Sequence, residues 1–170
     1  MPDGPFLERE AFDENMRSKE VSEDPLFYAI VDRRTRLAVG RAALMRIDPQ
    51  NRVIEVGNIM YTLALQRTRG ATEAMYLLAR YVFEDLGYRR YEWKCNALNE
   101  PSRRAALRLG FSFEGIFRQH MIVKGRNRDT AWFSMLDSEW PARKREFERW
   151  LDGSNFDSQG LQKTPLNPRI

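Results

Sequence analysis

The sequence predicts an α+β fold, in which helices pack on one mixed and mostly antiparallel sheet. Two features of the chain predict it. Apolar runs separated by short turns stand near both ends of the region 26–140, as in antiparallel hairpins. Between them, a strand, a helix, a strand, a helix and a strand follow one another, and this order requires at least one right-handed parallel crossover.

Three strands are predicted before the first long helix. Leu26–Asp32 and Leu37–Ile47 are apolar runs joined by the turn RRTR, which favours a hairpin. Arg52–Thr62 gives the third strand, with a bulge or a close ligand approach expected at Gly57. The polar stretch Met1–Asp24 has only a weak helical pattern, and we predict no regular structure for it.

The central helix is predicted from its apolar periodicity, and Gly87 is placed to end it. Its core-facing residues are expected to be Ala71, Ala74, Met75, Leu78, Val82 and Leu86. The strand that follows alternates Tyr91, Trp93 and Cys95 against charged residues.

A second helix begins at the N-cap Asn99 and stops at Gly110. Strands are predicted at Phe111–Val123 and Thr130–Trp140, separated by a turn over Lys124–Asp129 and followed by an amphipathic helix at Ala142–Leu151. No repeat or linker divides the chain. We therefore expect a polar segment at 1–25, the principal domain at 26–140, and a helix and tail of the same domain at 141–170.

Composition excludes several classes of protein. With 42% hydrophobic residues in 170, a packed core is expected, and a net charge of +4 without a dense basic run argues against a specific nucleic-acid partner. One cysteine and one histidine cannot form a zinc cluster. Because the chain has neither a signal segment nor a long apolar run, we expect a cytoplasmic protein without membrane association.

The loop before the central helix has the properties of an anion site. The first turn of a helix carries unpaired N–H groups and the positive end of the helix dipole. Arg67 and Arg69 add positive charge, Gly70 permits close backbone approach, and Ala71 keeps the turn uncrowded. This predicts a phosphate group here, whereas the alternative is that both arginines are ordinary solvated residues. The start of the second helix, at Asn99, is expected at the same end of the sheet.

Two segments, LQRTRGATEA and NEPSRRAALRLGFSFEG, carry a family resemblance. Over about Leu26 to Trp140 the chain resembles the GNAT N-acetyltransferases, in particular the branch that acetylates the N-termini of ribosomal proteins. That family binds the pyrophosphate of acetyl-CoA with a short loop motif. The motif begins with Gln or Arg, has Gly three positions later, and has Gly or Ala two positions after that. Gln66, Arg69 and Ala71 occupy these positions, so Arg69 replaces a glycine and is expected to pair with a phosphate itself.

The resemblance implies a set of residues that contact the coenzyme. Asn99 and Ser102 would line the pantetheine arm, and Arg103 would reach a phosphate, although Asn99 as a simple cap and Arg103 as a solvated residue are the structural alternatives. The full set implied for coenzyme binding is Met60, Tyr61, Gln66, Arg67, Thr68, Arg69, Gly70, Ala71, Thr72, Asn99, Ser102 and Arg103.

Members of the family usually begin with a further strand and one or two helices. The chain is therefore expected to be abbreviated at its N-terminus, which would leave a sheet edge exposed or covered by a second copy in a homodimer.

Acetyl transfer to an amine needs a proton acceptor, because α-amines titrate near ~8 and lysine near ~10.4. His120 and Glu55 are the two candidates, against the alternatives that His120 is structural and Glu55 faces solvent. Related N-terminal acetyltransferases have a glutamate where this chain has Met121. A backbone N–H near Met60 or Tyr61 is expected to stabilise the developing oxyanion, and Ser102 to hydrogen-bond the departing sulfur.

Two other functions compete with amine acetylation. Arg69, Met121 and the short N-terminus favour a non-catalytic coenzyme A-binding or regulatory module. A generic nucleic-acid-binding domain rests only on the pI of 9.4.

Overall fold

A computed structural model describes residues 4–166, which form six strands and four α-helices. The strands are β1 Leu26–Val31, β2 Ala38–Asp48, β3 Val53–Tyr61, β4 Arg90–Asn96, β5 Ser112–Val123 and β6 Arg126–Leu136. The helices are α1 Arg9–Glu20, α2 Arg69–Arg80, α3 Glu100–Arg108 and α4 Trp140–Leu151. A π-helical turn, Tyr81–Asp85, continues α2, and a short 3-10 turn, Gly153–Asn155, follows α4.

The strands form one sheet in the order β1-β2-β3-β4-β6-β5. Only β3 and β4 pair in parallel, across the α2 crossover, and the other neighbours are antiparallel. The predicted α+β class, with a mostly antiparallel sheet and one parallel crossover, is confirmed. In the described residues β1 forms one edge of the sheet and β5 the other.

The core lies between the sheet and helices α2, α3 and α4. Val82 is fully buried and Tyr91 is 1% exposed, as their positions in the periodic pattern predict. Leu86 is the exception, because it is 39% exposed. The π-helical turn explains this difference, since an extra residue per turn shifts the helix face after Tyr81. Gly87 then ends the segment with φ of +66°, in the left-handed region.

Several predicted boundaries are wrong. The segment before Pro25, for which no regular structure is predicted, contains the helix α1, and α1 buries none of its residues. Strand β6 begins at Arg126 rather than Thr130 because the turn is a tight one at Lys124 and Gly125, both with positive φ. Helix α4 begins two residues early, at Trp140, with Pro141 in its first turn.

None of the helices in residues 4–166 is long and apolar enough to cross a lipid bilayer.

Candidate active site

A cavity of about 630 Å³ lies at the N-terminal end of α2. Strands β3 and β4, helices α2, α3 and α4, and the segment after α4 all contribute to its wall. The lining residues are Tyr61, Arg67, Thr68, Arg69, Ala71, Thr72, Met75, Trp93, Ala105, Arg108, Leu109, Trp150, Phe156, Gly160, Leu161 and Gln162. Six of the residues implied for coenzyme binding therefore meet at one cavity.

The start of α2 has backbone N–H groups without acceptors in the described residues, and it lies beside the cavity. Thr68 is the N-cap, and its hydroxyl accepts a hydrogen bond from the Ala71 N–H at 3.2 Å. Arg69 and Gly70 are thus the first two residues of α2, and the prediction that both lie in the preceding loop is wrong. No acceptor within the described residues takes their N–H groups, and they remain available to a ligand. Arg67, just before the cap, has φ of +60°, a conformation that an arginine adopts at a cost.

Three guanidinium groups line the cavity. Arg69 lies over the ring of Phe156 at 5.1 Å, and Arg108 lies over the ring of Trp150 at 4.9 Å. Arg67 is exposed beside them. This part of the cavity has a positive potential, which suits an anionic ligand.

The wall below these cations is apolar. Met75, Trp93 and Leu109 are buried core residues that form it together with Ala105. Tyr61 closes the β3 side, where burial raises the pKa of its phenol to about 12 and keeps the group protonated. The cavity therefore combines a cationic end with an apolar wall.

Strands β3 and β4 separate next to the cavity. They pair only from Val53 with Arg90 to Val56 with Trp93, and the rest of each strand has no partner on the other. A bulge in β3 follows Gly57, where the register with β2 shifts before Met60. This confirms the irregularity predicted at Gly57. The two strands therefore leave an opening in the sheet beside the cavity, which Tyr61 and Trp93 line.

The start of α3 lies away from the cavity lining. Asn99 caps the helix, as predicted, by accepting the Ser102 N–H at 3.2 Å. The Ser102 hydroxyl lies 3.0 Å from Trp93 Nε1 and accepts its hydrogen bond, while Arg103 bonds the Ala97 carbonyl at 3.4 Å. Ser102 therefore touches the cavity only through Trp93, and α3 lines it with its C-terminal half.

The remaining residues of the predicted set lie at the margins of the cavity. Gln66 donates to the Tyr61 carbonyl at 3.1 Å and holds the loop onto β3, and Met60 is 47% exposed. At Gly70 an added Cβ would meet Leu65 and Thr68 only at 3.6 and 3.7 Å. Protein contacts thus leave room for a side chain, and only an approaching ligand would require glycine there.

Glu55 belongs to a buried charge cluster on the opposite face of the sheet. It is 5% exposed, so the alternative that Glu55 faces solvent is wrong. Lys94 Nζ lies 3.1 Å from Glu55 Oε2 and 2.6 Å from Glu92 Oε2, and Arg46 Nε lies 3.0 Å from Glu55 Oε2. Burial raises the pKa of the Glu55 carboxyl, and Lys94 and Arg46 oppose this effect.

His120 lies on the same face of the sheet, farther toward the β5 edge. Its Nδ1 is 3.0 Å from the Thr130 hydroxyl, and its ring packs beside Phe117 and Trp132. Trp132 also carries Lys94 on its face at 3.8 Å. Glu55 and His120 are therefore separated by Lys94 and Trp132 and do not form one catalytic pair. Met121, next to His120, is 37% exposed.

Part of the cavity could not be found by following motifs. Trp150, Phe156, Leu161 and Gln162 come from α4 and the segment after it, which carries no family signature. Arg108 stands one residue before the Leu-Gly-Phe series, and its charge in the last turn of a packed helix was the available signal.

Comparison with known proteins identifies the family. The acetyltransferase (GNAT) domain profile matches residues 3–112. The "Putative ribosomal N-acetyltransferase YdaF" of Bacillus subtilis is 34% identical over 107 residues, which are 62% of this chain and 57% of that protein. The chain thus spans little more than half the length of this relative.

Two solved structures have the same fold. A GCN5-related N-acetyltransferase from Brucella melitensis is 55% identical with a TM-score of 0.95, over 98% of this chain and 75% of that one. A probable GNAT-family acetyltransferase from Chromobacterium violaceum is 42% identical with a TM-score of 0.78, over 83% of this chain and 71% of that one. Because the family profile covers more than half of the chain, this protein belongs to the GNAT acetyltransferase family.

Proposed function

We propose that the protein transfers an acetyl group from acetyl-CoA to a primary amine. The observation that carries this proposal is the cavity at the start of α2, with its cationic end, its apolar wall and its position beside the opening between β3 and β4.

The residues of the cavity fit the coenzyme. Its phosphates suit the free N–H groups of Arg69 and Gly70 and the guanidinium groups beside them. Its pantetheine arm suits the apolar wall that leads from Met75 and Trp93 toward the separated strands. When bound, the coenzyme supplies an activated acetyl thioester.

Of the two candidate proton acceptors, we favour Glu55. Its Oε1 is 3.6 Å from the position of a Cβ built on Gly57, which places the carboxylate where β3 leaves β4. The raised pKa of Glu55 makes its carboxylate a better base at neutral pH than a solvated one. His120 is held by Thr130 and packed between aromatic rings, which is the environment of a structural histidine.

An α-amino group at a protein N-terminus is the acceptor that we propose first. An α-amine titrates near ~8, so little driving force is needed to deprotonate it at neutral pH, in contrast to lysine near ~10.4. The relative YdaF, whose printed name refers to ribosomal N-acetylation, supports testing the N-terminal peptides of ribosomal proteins. Polyamines and amino acids are the comparison set.

Binding and turnover test the proposal together. Acetyl-CoA at ~100 times its dissociation constant is expected to stabilise the protein by about 2.7 kcal/mol in a thermal-shift experiment. Turnover is measured as free thiol released in the presence of each acceptor. Stabilisation without turnover on any peptide or amine would favour the coenzyme-binding module, and absence of both would reject the proposal.

The choice of base has its own test. Glu55→Gln is expected to lower kcat by about 10²- to 10⁴-fold and to remove the acidic limb of the kcat/KM profile. His120→Asn is the matched comparison and is expected to retain that limb. The opposite pattern would assign the base to His120.

A further inference from the structure

Arg108 is a cation without an anionic partner. In residues 4–166 no carboxylate lies within ion-pair distance of its guanidinium, and desolvation lowers its pKa with no opposing charge nearby. Arg69 differs, because Asp152 interacts with its charge. Arg108 lines the cavity, and part of its side chain is exposed to solvent. A guanidinium that lines a cavity without a counter-charge can bind an anionic ligand there through charge-assisted hydrogen bonds.

Two contacts fix the orientation of Arg108. Its Nη1 donates to the Thr72 hydroxyl at 3.0 Å, and its guanidinium lies on the ring of Trp150. The Thr72 oxygen acts as the acceptor in this contact, which leaves the hydroxyl proton able to donate to a ligand. The other N–H donors of Arg108 have no partner in the described residues. The side chain is thus positioned, and most of its donors are unused.

This position is distinct from the first turn of α2. The N–H groups of Arg69 and Gly70 belong to α2, whereas Arg108 reaches the cavity from the last turn of α3. Arg69 and Arg108 also rest on different aromatic rings, those of Phe156 and Trp150. The cavity therefore offers two sets of donors for two anionic groups.

We propose that Arg108, positioned by Thr72 and Trp150, binds the ribose 3′-phosphate of the coenzyme and sets the preference for it. The inference rests on the proposed function, because it needs acetyl-CoA in this cavity. Coenzyme A carries a pyrophosphate and one phosphomonoester. The start of α2 supplies backbone donors for the pyrophosphate, and the doubly charged monoester suits the uncompensated guanidinium.

Calorimetric titration of the full chain with acetyl-CoA and with its 3′-dephospho form tests this assignment. The unmodified protein is expected to bind acetyl-CoA about tenfold to a hundredfold more tightly than the dephospho form. In Arg108→Gln this ratio is expected to fall to near one, because affinity for acetyl-CoA drops while affinity for the dephospho form is unchanged. Arg108→Lys keeps the positive charge but loses the paired N–H donors of the guanidinium, so part of the preference for acetyl-CoA over its dephospho form should remain.

Arg104→Gln is the matched control. Arg104 lies one turn earlier on α3, is exposed and pairs with Glu100 at 3.4 Å, outside the cavity lining. This variant is expected to keep the full preference for the 3′-phosphate.

Each outcome decides between the two proposals. Equal weakening of both ligands by Arg108→Gln would place Arg108 at the pyrophosphate and overturn the assignment. Absence of any preference in the unmodified protein would overturn it without reference to a variant. If the unmodified protein binds neither ligand, the proposed function itself fails.

Discussion

Replacing Lys94 by methionine tests the buried charge cluster to which the proposed base, Glu55, belongs. The Lys94 side chain is 6% exposed, and among residues 4–166 it is the one cation in contact with both buried carboxylates, Glu55 and Glu92. Methionine retains much of the length of the side chain and its contact with Trp132, but it removes the charge. Two buried carboxylates would then share only Arg46 and Arg90, whose side chains are 50% and 26% exposed.

The expected loss of stability follows from this burial. Removing one partner of a buried ion pair costs about 3–5 kcal/mol, and the two remaining arginines place the expected loss near the lower end, about 3 kcal/mol at pH 7. For a domain of this size such a loss lowers Tm by roughly 6–12 °C.

The loss is expected to shrink as the pH falls. Burial already raises the pKa of Glu55, and Lys94 opposes that increase, so removing the Lys94 charge raises the pKa of Glu55 further. A carboxyl with a raised pKa in the folded state contributes stability that is present at low pH and lost as the pH rises through that pKa. In the variant, Glu55 is therefore protonated at a pH above 4.5, the ordinary pKa of glutamate. This protonation removes the uncompensated charge and restores part of the stability.

Urea unfolding at pH 7 and pH 5 measures both effects. Lys144→Met is the control, because Lys144 pairs with Glu84 at 2.8 Å on the surface, and its loss should change little at either pH. If Lys94→Met cost no more than Lys144→Met, or if its deficit grew as the pH fell, the cluster would be solvated and the reasoning about Glu55 would be wrong.

Three other substitutions are expected to change stability, one by raising it and two by lowering it. Tyr91→Phe should stabilise the protein by about 1 kcal/mol in urea unfolding, because the buried Tyr91 hydroxyl has no partner among the described residues; a loss of stability would indicate a buried water. Gly40→Ala should cost about 1–3 kcal/mol of stability and weaken acetyl-CoA binding, because its Cβ would lie 2.9 Å from the Met60 carbonyl oxygen. Gly115→Ala is the control and should be neutral, since no described atom lies within 4 Å of its Cβ. Thr68→Ala should cost about 1 kcal/mol of stability through loss of the α2 cap, and Thr68→Ser should recover most of it. A Thr68→Ser variant as unstable as Thr68→Ala would show that the hydrogen bond from Ala71 does not stabilise the helix.

Local signals predicted the elements that local chemistry controls. Gly87 and Gly110 end their helices with φ of +66° and +92°, and Asn99 caps α3. These features depend on a few neighbouring residues, so the sequence suffices for them. The helix α1 was missed because a helix that buries no residue shows no strong apolar periodicity.

The burial of the charged face of β4 could not be read from the sequence pattern. Glu92 and Lys94 alternate with apolar residues, which is the pattern of a strand with one solvated face. In the folded protein Lys94 contacts Glu55 from β3 and Trp132 from β6, and these neighbours bury the face. Alternation shows which residues share a face of the strand, but not what covers that face.

The sequence by itself determined the α+β class, the parallel crossover and the N-terminal end of α2 with its nearby arginines, because periodicity and helix ends are set over a few residues. Only the tertiary structure decided which cations share the cavity and which do not. Arg108 and Phe156 meet the start of α2 across separations of some 40 to 90 residues, and Arg103, five positions from Arg108 on the same helix, does not line the cavity. Such proximity depends on how the sheet order places whole elements, and no pattern along the chain encodes it locally.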